Sequence, residues 1–311
     1  MIRQHRILVI GRSGQLAQAL AAATWPNLTA LRFAGRDDID LFHPMRLRQQ
    51  IAAIGPEVII NTAGYSAIDR AEQEPDAAFE LNVMAVDILA AAAATLDIPL
   101  IHHSSAQIFA GGKADAYRES DRPEPTSIYG QSMLAGELAI QRARGRHVIL
   151  RSSRFFGLYG DNFLKSMLQL GRDRQNLDLA IDEYGCPTPT QALAVVLPHI
   201  AIAMIEGRRF PSILHYAGDV AANWLEIANE VFAAAGVYQP APLLHPITAQ
   251  MTDGTSTRPR NLALDCSLAR SLGLPRIDWR AALPPLIETL ASTHAMPVDQ
   301  TDATHAAEHA A

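Results

Sequence analysis

The sequence predicts an α/β fold, a doubly wound parallel sheet with a smaller α/β lobe. Short apolar runs alternate with longer stretches of helical period, and a Gly-rich turn directly follows the first run. From about Phe155 the alternation loosens into Gly and Pro punctuation with shorter helices, as expected of a second lobe packed over the carboxyl ends of the strands. A length of 311 residues suits one such unit with a substantial core.

Arg6 to Ile10 is an apolar run of strand length, and Gly14 to Ala22 begins a helix. Leu28 to Ala34 reads as a second strand, and Pro44 to Ile54 as an amphipathic helix. Val58 to Asn61, Leu100 to His103 and His147 to Arg151 supply three more strands, with helices Asp76 to Thr95 and Tyr129 to Arg142 between them. Residues 1–154 therefore form the sheet-bearing unit, completed by part of 190–225, and 155–296 form mainly the second lobe. The stretch 297–311 has no apolar period and reads as a flexible tail.

Composition narrows the function. A net charge of -6 without a basic run argues against a nucleic-acid partner. Cys186 and Cys266 are too few and too isolated for a disulfide framework or a zinc site, and no other metal cluster stands out. The most apolar stretch, Val83 to Ile101, is interrupted by Asp87 and Asp97, which speaks for a buried helix and strand over a membrane span. The N-terminus runs through Arg3 and Arg6 into a strand with no signal-peptide core, so a cytoplasmic location is expected.

The first strand leads into Gly11-Arg12-Ser13-Gly14-Gln15-Leu16. Glycines there let the backbone approach a pyrophosphate, and the following helix offers free amides and its positive dipole end. This predicts a Rossmann-type site for NADP or NAD, with Ala17 in place of a third glycine. At the end of the second strand Arg36 suits a ribose 2'-phosphate and NADP, while Asp37 suits a 2'-hydroxyl and NAD; solvated loop charges are the alternative. Asp40 and Leu41 are candidates for the adenine pocket, and Thr62, Ala63 and Gly64 follow the third strand beside the cofactor.

Longer motifs carry a family resemblance. Pro56 to Glu72, PEVIINTAGYSAIDRAE, is similar to the PDVVINAAAYTAVDKAE block of the dTDP-4-dehydrorhamnose reductase family, within the extended short-chain dehydrogenases. Gly11 to Leu16 resembles its GxxGQL turn, Leu81-Asn82 its LN, Asp182 to Thr188 its DQxGxPT, and Arg258 to Asp265 its RPxNxxLD. The resemblance runs from about Ile7 to Leu290. It implies NAD(P)H-dependent reduction of the 4-keto group of a dTDP-linked deoxysugar, in dTDP-rhamnose and polysaccharide biosynthesis. It also raises a homodimer, and in some relatives a divalent cation at the dimer interface, for which no carboxylate cluster is evident here.

Residue by residue, the resemblance makes Tyr129 the proton donor and puts Ser105 where a threonine hydroxyl would polarise the substrate carbonyl. Ser66, Ser105, Gln107 and Arg154 fall at substrate positions. Ala106 and Gln107 replace an Asp and a Tyr, Arg154 replaces a Trp, and Met133 stands where Tyr-x-x-x-Lys requires lysine. That lysine lowers the phenol's pKa and holds the nicotinamide ribose, and Met133 can do neither. Two readings stay open: a reductase working without its lysine, and a catalytically impaired dinucleotide-binding regulator or scaffold. Lys165 could stand in if the second lobe brought it to Tyr129. His102 and His103 point to opposite faces and are expected to be structural, His215 to be a core histidine, and Trp224 and Trp279 to anchor the second lobe's core.

Overall fold

The computed structural model describes residues 4–26, 29–249 and 258–294. Leu28 and the expected tail at 297–311 lie outside the described residues. The first half runs β1 (His5–Ile10), α1 (Gln15–Ala22), β2 (Thr29–Ala34), α2 (Pro44–Ile54), β3 (Val58–Asn61), α3 (Ile68–Gln73) and α4 (Pro75–Phe79). A π turn at Glu80–Met84 leads into α5 (Ala85–Thr95), β4 (Leu100–Ser105), a short 3-10 turn, α6 (Ile128–Ala143) and β5 (His147–Ser152). Then follow β6 (Phe155–Phe156), α7 (Phe163–Asp173), β7 (Asn176–Ala180), β8 (Tyr184–Gly185), β9 (Thr188–Pro189), α8 (Thr190–Ile205) and β10 (Ile213–His215). The remainder is β11 (Ala222–Asn223), α9 (Trp224–Ala235), β12 (Leu243–Ile247), β13 (Asn261–Leu262), α10 (Ser267–Ser271) and α11 (Trp279–His294).

Six strands form one sheet in the order β10-β5-β4-β3-β1-β2, every pair parallel. β1 lies between β2 and β3, so sheet growth reverses there and leaves a crevice beyond the carboxyl ends of these strands. Successive side chains go to opposite faces. Ile7, Val9, Val58, Ile60 and Ile101 pack with Leu16 and Leu20 of α1 and Leu193, Leu197 and Ile200 of α8. Leu8, Ile10, Ile59 and Leu100 pack with Leu47, Ile51, Leu89 and Ile140 of α2, α5 and α6. A separate apolar cluster joins α7, β7, α9 and α11, with Trp279 buried in it as expected.

The helix expected over Asp76 to Thr95 is interrupted by the π turn, whose cause is tertiary. Asn82, buried there, accepts from Tyr65 N at 2.7 Å and donates to Tyr65 O at 3.1 Å and to Ser132 Oγ at 2.9 Å. The run Pro75–Thr95 is long and apolar enough to cross a membrane by composition, but α5 packs on the sheet through Val86, Leu89 and Ala93.

A buried ion pair ties α6 to the sheet. Arg151 of β5 donates to both Glu137 oxygens, at 2.9 and 2.6 Å, and Ser104 adds a 2.6 Å hydrogen bond. His215 Nδ1 bonds Tyr117 O at 3.1 Å, so Nδ1 carries the proton and Nε2 accepts from Arg151 Nη1 at 3.4 Å. Burial pushes His215 down to about 3, and the ring is a neutral core histidine, as expected.

Candidate active site

A cleft of about 560 Å³ opens over the carboxyl ends of the sheet, between the Gly-rich turn and the second lobe. Ser13, Gly14 and Gln15 line one end, Ser66, Ser105, Gln107 and Tyr129 its middle, and Arg154 with Trp224 the side of the second lobe.

At the turn, Gly11 has φ +103 and donates to Ala34 O at 3.0 Å. A Cβ there would meet Thr62 Oγ1 at 2.6 Å and Ala63 N at 2.8 Å, so only glycine fits. Gly14 caps α1 with no side-chain hydrogen bond, the first turn holds no acid, and a Cβ at Gly14 would meet nothing within 4 Å. Ser13, Gly14 and Gln15 line the cleft, so the uncapped amides at the start of α1 suit an anion such as a pyrophosphate. Thr62 Oγ1 donates to Ile10 O at 2.8 Å, and Ala63 N donates to Asn61 Oδ1 at 3.1 Å, so these residues brace the turn. Gly64 lies against Asn82.

The other expected cofactor residues lie outside the cleft lining. Leu16 is a core residue of α1. Arg36 is exposed in the turn after β2, where Asp37 and Asp38 flank Arg12 at 3.6 and 3.1 Å. Asp40 sits in the segment leading to α2. It engages His43 at 2.8 Å and Arg46 at 3.6 Å and accepts from Phe42 N at 3.0 Å, fixing the approach to α2. The His43 hydrogen bond, foremost, holds its pKa below the usual carboxylate range. Leu41 packs half-buried against the sheet core.

At the reaction end, Ser105 Oγ accepts from Gln107 N at 3.2 Å, which leaves its proton for another acceptor. Tyr129 lies in the first turn of α6 and is buried. Burial raises its pKa above 10, and the Ser105 hydroxyl pulls in the opposite direction. Met133, one turn later, lies with Tyr129 in an apolar cluster that includes Ala71, Ala106, Phe109 and Leu262. Burial lowers the Lys165 pKa, with the Asp161 charge pulling the other way. Ser132 Oγ donates to Tyr129 O at 2.8 Å, so Asn82 steadies the start of α6 through it.

Arg154 is no surface residue paired with an acid. Its guanidinium lies 3.8 Å from the Trp224 ring centroid and donates to Ala222 O at 3.0 Å and Glu183 O at 2.8 Å. Burial lowers its pKa to about 10. Trp224 packs against the second lobe's core as expected and also lines the cleft, where its indole donates to the buried Glu183 carboxylate at 2.7 Å. Sequence reasoning also passed over Glu183 and the Asp69–Arg258 pair, 3.1 Å apart, all of which line the cleft. Their signal was present, since all but Trp224 fall within or beside the quoted motifs.

The two histidines divide as the strand period requires. His102 is buried, pushed down to about 4, and accepts at Nδ1 from Asn61 Nδ2 at 3.0 Å. His103 lines the cleft.

The family described as the RmlD substrate binding domain matches residues 5–292. A dTDP-4-dehydrorhamnose reductase from Sinorhizobium fredii is 35% identical over 289 residues, covering 92% of this chain and 97% of the relative. The chain belongs to the dTDP-4-dehydrorhamnose reductase family. Another such reductase, from Aggregatibacter actinomycetemcomitans, is 33% identical and covers 89% of this chain and 97% of its own. Among solved structures, the dTDP-4-dehydrorhamnose reductase of Bacillus anthracis in complex with NADP superposes with a TM-score of 0.85 at 25% identity, covering 92% of this chain and 99% of that one. Arg154 lines the cleft, and Met133 lies with Tyr129 in the apolar cluster behind it. Among the described residues no group of three or more His, Cys, Asp or Glu is placed to hold a metal ion.

Proposed function

We propose that this chain reduces the 4-keto group of dTDP-4-dehydro-L-rhamnose, or a related nucleotide-linked 4-keto-deoxysugar, in dTDP-rhamnose and polysaccharide biosynthesis in the cytoplasm. The observation that carries the reading is Ser105 beside Tyr129 in a cleft that begins at the uncapped Ser13–Gln15 turn. NADPH or NADH, bound along that turn, would supply hydride to the keto carbon. Tyr129 gives its proton to the keto oxygen as negative charge develops there, and the Ser105 hydroxyl donates a hydrogen bond to the same oxygen. Gly11, Ser13, Gly14 and Gln15 hold the pyrophosphate, and Ser66, Gln107 and Arg154 border the sugar nucleotide. Residues 1–154 with part of 190–225 serve the cofactor, and 155–296 mainly the substrate.

The test is oxidation of NADPH and NADH by the purified protein given freshly generated dTDP-4-dehydrorhamnose, beside Met133→Lys. Turnover by the wild type supports the reductase. Dinucleotide binding without turnover of any dTDP-4-keto-sugar replaces it with a scaffold, and a mutant that gains activity then locates the defect at position 133.

A further inference from the structure

Glu183 is only 4% exposed, yet it lines the cleft. Its Oε2 accepts from the Trp224 indole at 2.7 Å, while Oε1 has no hydrogen-bond partner among the described residues and is not sealed from the cleft. Arg154 does not close on this carboxylate. It gives one N–H to the Glu183 backbone oxygen at 2.8 Å and one to Ala222 O at 3.0 Å. A guanidinium has five N–H groups, so most of its donors stay uncommitted in the same wall of the cleft. A buried carboxylate left half-satisfied is costly, and one that opens into a cleft marks where a ligand supplies the missing donor. The pair also stands close to the chemistry. Arg154 follows Ser152 by two residues, at most about 8 Å of chain, and Ser152 is the β5 partner of Ser105 across the sheet. On a nucleotide sugar reduced at Ser105 and Tyr129, the group within that reach is the sugar. Its keto oxygen only accepts and its methyl does neither, whereas a hydroxyl both donates and accepts, as a carboxylate beside N–H donors requires. Neither charge is shared with the motifs this chain resembles, which carry Gln at 183 and Trp at 154.

We propose that Glu183 and Arg154 form a specificity pair for the sugar: the Glu183 carboxylate accepts a hydrogen bond from one sugar hydroxyl, and the Arg154 guanidinium donates to the oxygen of that hydroxyl or of its neighbour. The inference rests on the nucleotide-sugar reading above. It narrows that reading to 4-keto sugars that keep their hydroxyls at C2 and C3, and it selects against their 2-deoxy or 3-deoxy congeners.

Calorimetric titration tests it with dTDP-L-rhamnose, its 2-deoxy and 3-deoxy analogues and dTDP, in the presence of NADPH, which cannot reduce any of them. The wild type is expected to bind dTDP-L-rhamnose at least about tenfold more tightly than one of the deoxy analogues, the worth of a hydrogen bond to a charged group. Glu183→Gln keeps an oxygen for the Trp224 indole. It is expected to weaken dTDP-L-rhamnose about tenfold and to leave that analogue and dTDP within about twofold. Equal wild-type affinity for all three sugars overturns the pair, as does a Gln variant that binds dTDP-L-rhamnose unchanged. A loss as large for dTDP as for dTDP-L-rhamnose also overturns it, because Glu183 then serves the base or the fold at large. If the Gln variant does not fold, a crystal structure of the wild type with NADPH and dTDP-L-rhamnose decides: a sugar hydroxyl within hydrogen-bond distance of Glu183 Oε1 supports the pair, and none there overturns it. A wild type that binds neither dTDP nor dTDP-L-rhamnose brings down the nucleotide-sugar reading itself, a result distinct from sugar-nucleotide binding that ignores Glu183.

Discussion

Tyr129 lies with Met133 in an apolar cluster, and burial keeps the phenol's pKa raised although the Ser105 hydroxyl pulls it down. The sign for reduction follows from its role as acid: a donor is active while protonated, and a raised pKa keeps it protonated at every ordinary working pH. The rate of reduction is therefore expected to show no alkaline limb from Tyr129 below about pH 10. In Met133→Lys an ammonium one turn away lowers the phenol's pKa, and a limb should appear as pH rises through the new value. Kcat measured against pH for both proteins checks this, and a wild-type limb near pH 8 that survives the substitution would count against it. The lysine also enters an apolar cluster, at a cost on the order of 3 kcal/mol in stability if it stays charged. Tyr129→Phe is expected to lower kcat by roughly 10²–10⁴-fold and leave dinucleotide affinity unchanged, which steady-state kinetics and titration read separately. At this scale the sequence was informative where chemistry is local: Gly11 announces its turn because only glycine suits that position. Arg154 was opaque because its stacking partner, Trp224, is seventy positions away and meets it only once the lobes pack.

Elements were legible where punctuation is strong. α2 begins at Pro44 and ends at Gly55, whose φ of +61 only glycine adopts readily, and the predicted span was Pro44 to Ile54. The π turn left no such mark, because the Ala-rich run from Pro75 to Thr95 has unbroken helical composition. What makes the turn is the close approach of α6, where Gly136 lies so near Asn82 that a Cβ would come 2.2 Å from the Asn82 carbonyl oxygen. Since Asn82 also holds Tyr65 and Ser132, and Ser132 bonds the Tyr129 backbone, this contact sets where Tyr129 sits. Gly136→Ala must displace one helix. It is expected to cost about 1–3 kcal/mol by overpacking and to lower kcat more than it raises KM, since the tyrosine moves relative to Ser105. Thermal unfolding and steady-state kinetics give the two readouts. A variant as stable and active as the wild type would mean that α6 tolerates the extra methyl.

Across the molecule, the question is what holds the second lobe over the sheet. Arg154 leaves the end of β5 with φ +45, a left-handed conformation that costs about 1 kcal/mol for a residue with a side chain. That backbone step sends the guanidinium to Trp224, Ala222 O and Glu183 O, all on second-lobe segments. Gly185 leaves it room, since a Cβ there would come 2.5 Å from Arg154 Nε. Lysine cannot replace the planar fork that reaches two carbonyls and stacks on an indole. Arg154→Met leaves both carbonyls without this donor and Glu183 without its nearby cation, so a loss of roughly 2–4 kcal/mol is expected. The lobe forms one wall of the cleft, so its loosening should raise KM for the nucleotide sugar about tenfold. The Ser13–Gln15 turn, at the other end, should bind dinucleotide as before. Arg154→Lys should fall between the two, nearer Met if the fork matters more than the charge. Denaturant unfolding, sugar-nucleotide KM and dinucleotide titration separate these effects, and equal losses at both ends of the cleft would show that Arg154 supports the whole fold instead of joining its lobes.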